Sequence, residues 1–345
     1  LVIRADGTTA RIEDIKVGDQ LLGPDGGVRN VLALGRGAET MYEVAPVKGP
    51  AYYVNESHIL SLRRSYTGRC RLSDGTYVPA QQEVLNVNVK VWSESSAATQ
   101  KLFKGYRAGP LEFVREAVPL AVPPYILGAW LGDGHSEGPT LSKPFCRMVE
   151  EWQAYGKSLG LEMHEYRKDA NDCSAWRLAL PGKRSRTNPA RSALDSLGVL
   201  GNKHIPEAYR LAPLKDRLEL LAGLLDSDGS VSRGGYDWIS KCPKMAEDLV
   251  FLCRSVGLAA YLQVCTKSIK RLGFSGTYYR VSVSGDCERI PCRDKRVPAR
   301  KQIKSHLVTG LGFKRLGVED YYGVVLAGDH LFLLGDFTVT HNTEL

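Results

Sequence analysis

Two stretches 95 residues apart constrain most strongly what this chain can fold into. Residues 219–229 read ELLAGLLDSDG, and residues 126–134 read ILGAWLGDG. Each is an apolar helical run with small residues in its middle, ended abruptly by Asp-Gly. Ala222 and Gly223 in one copy, and Gly128 and Ala129 in the other, remove side-chain bulk, so two such helices can pack at or below the usual ~8–10 Å separation. Asp133 and Asp228 then stand at helix C-termini, where the partial negative charge of the backbone opposes a carboxylate. Two anions held close in that position call for cations. Hard divalent ions with oxygen ligands suit them, Mg²⁺ above all or else Mn²⁺, and such ions clamp the attacking and leaving oxygens in phosphodiester chemistry.

A single Asp-Gly would be an ordinary helix stop. The duplication goes further than the motif, because residues 157–161 (KSLGL) after the first copy match residues 254–258 (RSVGL) after the second. In both halves a helical segment ends at that Gly, and strand-like runs follow at 173–180, 260–265 and 278–283. This is an internal repeat of a mixed helix-strand unit.

ELLAGLLDSDG resembles the signature of the LAGLIDADG homing endonucleases, here in two copies on one chain. The resemblance implies an α+β domain of pseudo-twofold duplicated αββαββα units. It also implies that the last acidic residue of each motif, Asp133 and Asp228, binds metal at the scissile phosphates. Asp226 fits the other acidic position of the motif, whereas Leu131 occupies its counterpart in the more degenerate first copy. Residues 201–206 (GNKHIP) resemble the N-K-x-I-P element of intein endonucleases, which assigns Lys203 a place near the cleaved phosphate. A cation there stabilises developing charge or activates water. Its symmetrical partner should lie late in the domain, and Lys295 within 290–296 (IPCRDKR) is the expected residue.

The chain of 345 residues carries 46 basic and 38 acidic residues, a net charge of +8. That length holds two domains with ample core, and that charge suits a polyanion. If the strand-like runs form a saddle on duplex DNA, the basic clusters Arg167-Lys168, Lys183-Arg184 with Arg186, and Lys267 with Lys270-Arg271 are placed to reach phosphates and base edges. Lys104 and Arg107, after a Ser-rich bridge at 93–100, read as a basic segment that follows a nucleic-acid backbone. Eight cysteines show no C-x-x-C or zinc spacing, so buried thiols in a reducing compartment are expected. The longest apolar run is broken by Pro119, Pro123 and Pro124. A soluble intracellular monomer with no membrane partner is the expectation.

The two ends of the chain carry a different signal. Residues 1–91 are punctuated by Asp-Gly and Pro-Asp-Gly-Gly turns with short β-type runs between them. Residues 5–26 (ADGTTARIEDIKVGDQLLGPDG) resemble the first block of inteins and Hedgehog-type autoprocessing domains. Residues 55–58 (NESH) resemble the second block, usually T-x-x-H, with Asn55 in place of Thr. The tail DFTVTHNTEL (336–345) resembles the C-terminal splice junction of an intein. Asn side-chain nitrogen attacking its own carbonyl closes a succinimide and breaks the following bond, with a neighbouring imidazole polarising the carbonyl and supplying a proton.

By this resemblance His58 assists the first acyl shift, His341 with His330 assists cyclisation of Asn342, and Thr343 accepts the N-terminal segment. Splicing would need no cofactor. The implied architecture is an all-β, horseshoe-like Hint splicing domain split into 1–91 and 305–342. It is interrupted by a linker and DNA-proximal segment at 92–110 and an endonuclease domain at 111–304, with a host remnant at 343–345. Inteins begin with Cys or Ser, and here Leu1 comes first. As written, the chain is therefore expected to cleave at Asn342 without the N-terminal shift. The block wording is closest to large fungal nuclear inteins of the Prp-type host, which implies a flanking host protein before splicing and a nuclear location. The alternatives are a splicing protein whose endonuclease has decayed to DNA binding, and a stand-alone endonuclease or RNA maturase.

Overall fold

The structure, a computed structural model, describes residues 1–65, 69–71, 77–79, 83–167, 173–182, 187–269, 274–301 and 304–342. The chain divides into two compact units. One combines Leu1–Arg115 with Lys301–Leu345, and the other is Glu116–Arg300. Among the described residues no helix is long and apolar enough to cross a membrane.

The first unit is built on two long antiparallel strands, Val28–Pro46 and Leu311–Leu326, paired from Val31↔Leu326 to Pro46↔Leu311 with a register shift between Arg315 and Val318. Sequence explains why one ribbon runs so far. Its ends are apolar and its middle is polar and exposed, so each end enters a separate core. Val31, Val324 and Leu326 pack with Val2, Leu21 and Phe332. Tyr42 and Val44 pack with Val54, Leu60, Leu62 and Trp92. The chain's last strands, Leu331–Leu333 and Val339–His341, pair with each other, and Val2 bridges to Leu334. The C-terminal segment thus completes a β unit begun by the N-terminal one.

The expected linker at 92–110 is instead part of this unit. Strand Phe103–Tyr106 pairs with Ile59–Arg64 on one side and Val308–Thr309 on the other. The serines that suggest a linker serve helix ends: Ser93 and Ser95 donate to the carbonyls of Lys90 and Trp92 at the end of helix Val89–Ser93, and Ser96 accepts from the Thr99 amide ahead of helix Ala97–Leu102. Ser serves turns and helix ends for the same hydrogen-bonding reason. The unit boundaries accordingly fall after residues 115 and 300, not after 110 and 304.

The second unit repeats one plan twice. Helix Pro124–Asp133 is followed by strand Thr140–Lys143, helix Arg147–Ser158, and strands Glu162–Arg167 and Ser174–Ala179. Helix Leu214–Asp228 is followed by strands Ser230–Ser232 and Gly235–Ser240, helix Pro243–Ser255, and strands Ala259–Ile269 and Phe274–Ser284. In the first half the opening strand has shrunk to the single bridge Gly134↔Leu141. The repeat-matched glycines end the middle helices identically. Gly160 and Gly257 are left-handed (φ 70° and 81°), and the amides of Leu161 and Leu258 reach back to the carbonyls of Gly156 and Cys253, which satisfies the orphan groups of a helix end.

The two motif helices press together through their small residues. A Cβ on Gly128 would lie 2.2 Å from the Leu220 carbonyl oxygen, and one on Gly223 would lie 2.1 Å from that of Tyr125. Either approach is impossible for a larger residue, so backbone packs directly on backbone. Around them Leu127, Trp130, Leu221, Leu224 and Leu225 are fully buried.

Candidate functional site

Asp133 and Asp228 are the last residues of the two packed helices. The glycines after them are extended, not left-handed (Gly134 φ −76°, Gly229 φ −71°). They are required for a different reason: a Cβ would meet the Trp130 carbonyl oxygen at 2.2 Å in one and that of Leu225 at 2.5 Å in the other. The backbone turns so tightly over the last turn of each helix that only Gly fits there.

Two lysines take equivalent positions about these ends. Lys203 Nζ donates to the carbonyls of Gly132 (3.1 Å) and Gly134 (2.7 Å). Lys295 Nζ donates to those of Ser227 (2.7 Å) and Gly229 (2.6 Å). In each case the acceptors are the residues immediately before and after the aspartate. The ammonium therefore offsets the negative end of the helix. Burial raises the Asp228 carboxyl above its usual range, and the nearby charge of Asp133 adds to this while Lys203, Lys143 and Lys295 oppose it. Burial pushes the Lys203 ammonium down to about 8 against the opposing pull of Asp228 and Asp133. Lys295 is lowered by burial and then by the like charge of Lys143.

Asp226, fully buried, plays a part that the sequence pattern does not reveal. Its carboxylate accepts from the Tyr125 hydroxyl (2.9 Å) and from the backbone amides of Arg293 (2.6 Å), Asp294 (3.2 Å) and Lys295 (2.8 Å). It is an anchor for the loop that presents Lys295. Asp294 on the same loop accepts from the amides of Arg147 and Met148 at the start of the first half's middle helix. The Arg293 guanidinium lies over the Tyr125 ring (4.0 Å) and pairs with Glu219 (2.7 Å). Leu131 at the equivalent place in the first helix is buried in the core. Lys143 is the other residue that sequence reasoning misses, since nothing in a strand of sequence TLSK marks it. Its Nζ donates to Asp133 Oδ2 (2.7 Å).

Among the described residues there is no group of three or more His, Cys, Asp and Glu side chains to hold a metal. The donors at the helix ends are two carboxylates and five backbone carbonyls, those of Gly132, Gly134, Asp226, Ser227 and Gly229, that already accept from ammonium groups. An all-oxygen set that is short of side-chain ligands suits Mg²⁺, which keeps waters and takes up substrate phosphates.

The expected DNA contacts divide. Arg107 is a correction. It is 2% exposed and pairs with Asp336 (3.1 Å) while donating to the Lys48 carbonyl, so it holds the β unit together and presents no charge to a backbone. Lys104 is half-buried in strand Phe103–Tyr106, opposite Arg63. Lys267 is exposed on Ala259–Ile269, and its ammonium and that of Lys241 each lie 5.6 Å from the Tyr278 ring. Arg167 closes strand Glu162–Arg167. Lys168, Lys183, Arg184, Arg186, Lys270 and Arg271 lie outside the described residues.

In the β unit, a cavity of about 660 Å³ is lined by Leu1, Tyr52, His58, Thr340, His341 and Asn342, among others. His58 Nε2 lies 2.7 Å from Thr340 Oγ1. Burial, with the nearby His341 adding to it, pushes this imidazole down to about 3, so it is neutral in all ordinary buffers. His341 Nδ1 lies 3.0 Å from the Asn342 carbonyl oxygen and must carry a proton to donate there. His330 Nδ1 lies 2.8 Å from the Leu326 carbonyl and 3.4 Å from Asn342 Nδ2. Since the carbonyl only accepts, His330 Nδ1 is the donor in that contact. His330 is left-handed (φ 63°), a strained backbone of the kind retained at working sites. Thr343 lies outside the described residues.

Residues 1–107 match the family model described as Hom_end-associated Hint, and residues 215–289 match that of a LAGLIDADG-like domain. The chain thus joins a Hom_end-associated Hint domain to a LAGLIDADG-like domain. Over 352 residues it is 29% identical to the replicative DNA helicase DnaB of Mycobacterium intracellulare, a similarity covering 96% of this chain and 56% of that protein. Over 465 residues it is 20% identical to the catalytic polypeptide of the V-type proton ATPase of Candida tropicalis, covering 99% of this chain and 43% of that one. The chain spans about half the length of these curated relatives. Among solved structures it is similar to the homing endonuclease I-DmoI in complex with DNA and Mn (12% identity, 48% of this chain, 89% of that, TM-score 0.33). It is also similar to mesophilic variants of I-DmoI (11% identity, 48% of this chain, 88% of that, TM-score 0.33).

Proposed function

We propose that this chain excises itself from a host protein and, once free, cuts both strands of a specific duplex DNA with Mg²⁺, acting as a monomer. The observation that carries the endonuclease half is the equivalence of the two helix ends. The first motif has lost its counterpart of Asp226, yet it keeps an aspartate at the helix terminus and a lysine on the flanking carbonyls, as the second does. That retention argues against decay to DNA binding alone. Asp133 and Asp228 would hold the divalent ion, which when bound supplies Lewis-acid stabilisation of the attacking and leaving oxygens. Lys203 and Lys295 keep positive charge at the two ends for the scissile phosphates, and exposed Lys267 contributes to backbone contact.

For the splicing half, Asn342 Nδ2 attacks its own carbonyl carbon while His341 Nδ1–H donates to the oxygen. The Nδ2 proton is given up as the departing amine gains one, leaving a succinimide on one side and a free amine on the other. His330, whose Nδ1 lies 3.4 Å from Asn342 Nδ2, would accept the first of these protons in the tautomer that leaves Nδ1 unprotonated. Restriction of the asparagine in a strained, imidazole-flanked corner raises its effective concentration at its own carbonyl. A stand-alone endonuclease would have no use for this cavity. The Prp-type host and the nucleus are proposals resting on the wording of the terminal blocks, while the matched relatives are a helicase and an ATPase.

The test places the chain, led by a Cys-containing N-terminal segment, between two reporter proteins and follows products by mass. Ligated reporters are expected from the parent, and Asn342→Ala should give none. No ligation and no cleavage from the parent under any redox condition would overturn the splicing assignment.

A further inference from the structure

The pseudo-twofold symmetry of the endonuclease centre is broken at one charged residue. Lys143 Nζ donates to Asp133 Oδ2 (2.7 Å) and to the carbonyls of Asp226 (2.7 Å) and Ser227 (3.2 Å). It therefore ties the aspartate of the first motif to the end of the second motif helix. The ladder registers identify its counterpart. The first sheet opens with Glu162↔Ala179 and the second with Ala259↔Ser284, directly after the repeat-matched Leu161 and Leu258. Five residues in from Ala179 is Ser174, which pairs with Lys143; five residues in from Ser284 is Tyr279, which pairs with Ser240. Lys143 is thus matched by Ser240, whose hydroxyl accepts from the Cys242 amide.

We propose that Lys143 is a built-in cation on the Asp133 side of the centre, which occupies the carboxylate and the helix-end carbonyls that a divalent ion would use and must withdraw before that ion binds fully. Ser240 offers no such cation, so the two halves differ in what an arriving ion has to displace. The proximity of Lys143 is felt elsewhere in the centre, since its like charge disfavours the ammonium of Lys295. The side chains of Lys143 and Asp133 are 16% and 19% exposed, enough for the ammonium to move out to solvent along its flexible stem. This assignment rests on reading the centre as a divalent-metal site.

The test measures Mn²⁺ binding to the full chain by electron paramagnetic resonance, without DNA. Removing a nearby like charge should tighten binding by about tenfold or more in Lys143→Ser and in the closer-packing Lys143→Met. Without metal, both variants should melt below the parent, with Mg²⁺ restoring most of the difference, because Asp133 loses its paired ammonium and the second helix end keeps only that of Lys295. Ser240→Lys, which installs the same charge in the other half, should weaken binding. If Asp133→Asn and Asp228→Asn abolish Mn²⁺ binding while both Lys143 variants bind as the parent does, the Lys143 assignment fails and the metal centre stands. If the parent binds no Mn²⁺, or both Asp variants bind as well as the parent, the metal centre itself fails and the proposal with it.

Discussion

His58 shows how one buried side chain couples the splicing cavity to pH. Its imidazole is held neutral by burial, with a value near 3 against 6.5 in the unfolded chain. A folded value below the unfolded one means that the unfolded state binds the extra proton first. The associated stability is present above about 6.5 and is lost as pH falls towards 3. Urea unfolding of the parent and of His58→Gln should therefore converge as pH falls from 7 to 4, by no more than about 1.4 kcal/mol per unit below 6.5. Parallel curves would contradict the neutral, buried histidine. Arg107 gives a second prediction at this scale. Because Arg107 is buried and pairs with Asp336 inside the β unit, Arg107→Met removes that ion pair and should destabilise the unit by up to about 3–5 kcal/mol. The salt dependence of DNA binding should be unchanged, whereas loss of a phosphate contact would reduce its slope.

At the scale of elements, the packed helices are the most sensitive feature. Gly223→Ala puts a methyl into the Tyr125 carbonyl and the backbone of Ala129, atoms that cannot move without parting the helices. A loss at or above the usual 1–3 kcal/mol of overpacking is expected in thermal unfolding, and an unchanged melting temperature would contradict the contact. These helices were legible in the sequence because their constraint is local and appears twice: small residues at helical spacing, then Asp-Gly. Lys203 was legible for a similar reason, standing in a short motif before a proline. What was not legible depends on pairing across distance. The anchoring of residues 293–295 by Asp226 joins positions about 70 apart, and the Lys143 contact depends on the register of a strand. The segment at 92–110 differs from its expected linker because Ser has the same local chemistry in a linker and at a helix end. Only the pairing of Phe103–Tyr106 on both sides distinguishes the two.

Across the whole molecule, the β unit is assembled from both ends of the chain, with the endonuclease unit occupying the interval between them. The recognised Hint segment ends at residue 107, yet the long ribbon needs 311–326 and the asparagine site needs 339–342. Neither part of the β unit makes its cavity alone, since His58 comes from one and Thr340, His341 and Asn342 from the other. That dependence follows from strand pairing: a single long strand with unsatisfied edges is not stable by itself. The endonuclease unit has its own continuous core running through both repeats, as an inserted domain requires.

We propose that Asp133 and Asp228, at the ends of two packed helices, form one metal-dependent cutting centre. The most direct test incubates the full chain with a pool of duplex DNA carrying randomised sites and Mg²⁺, then sequences the new ends. Double-strand ends at one defined sequence are predicted, with cutting lost in Asp133→Asn and in Asp228→Asn while binding of the selected site persists. Cutting that survives in the doubly substituted protein, or a parent that binds a defined site and never cuts it with any divalent ion, would contradict the account.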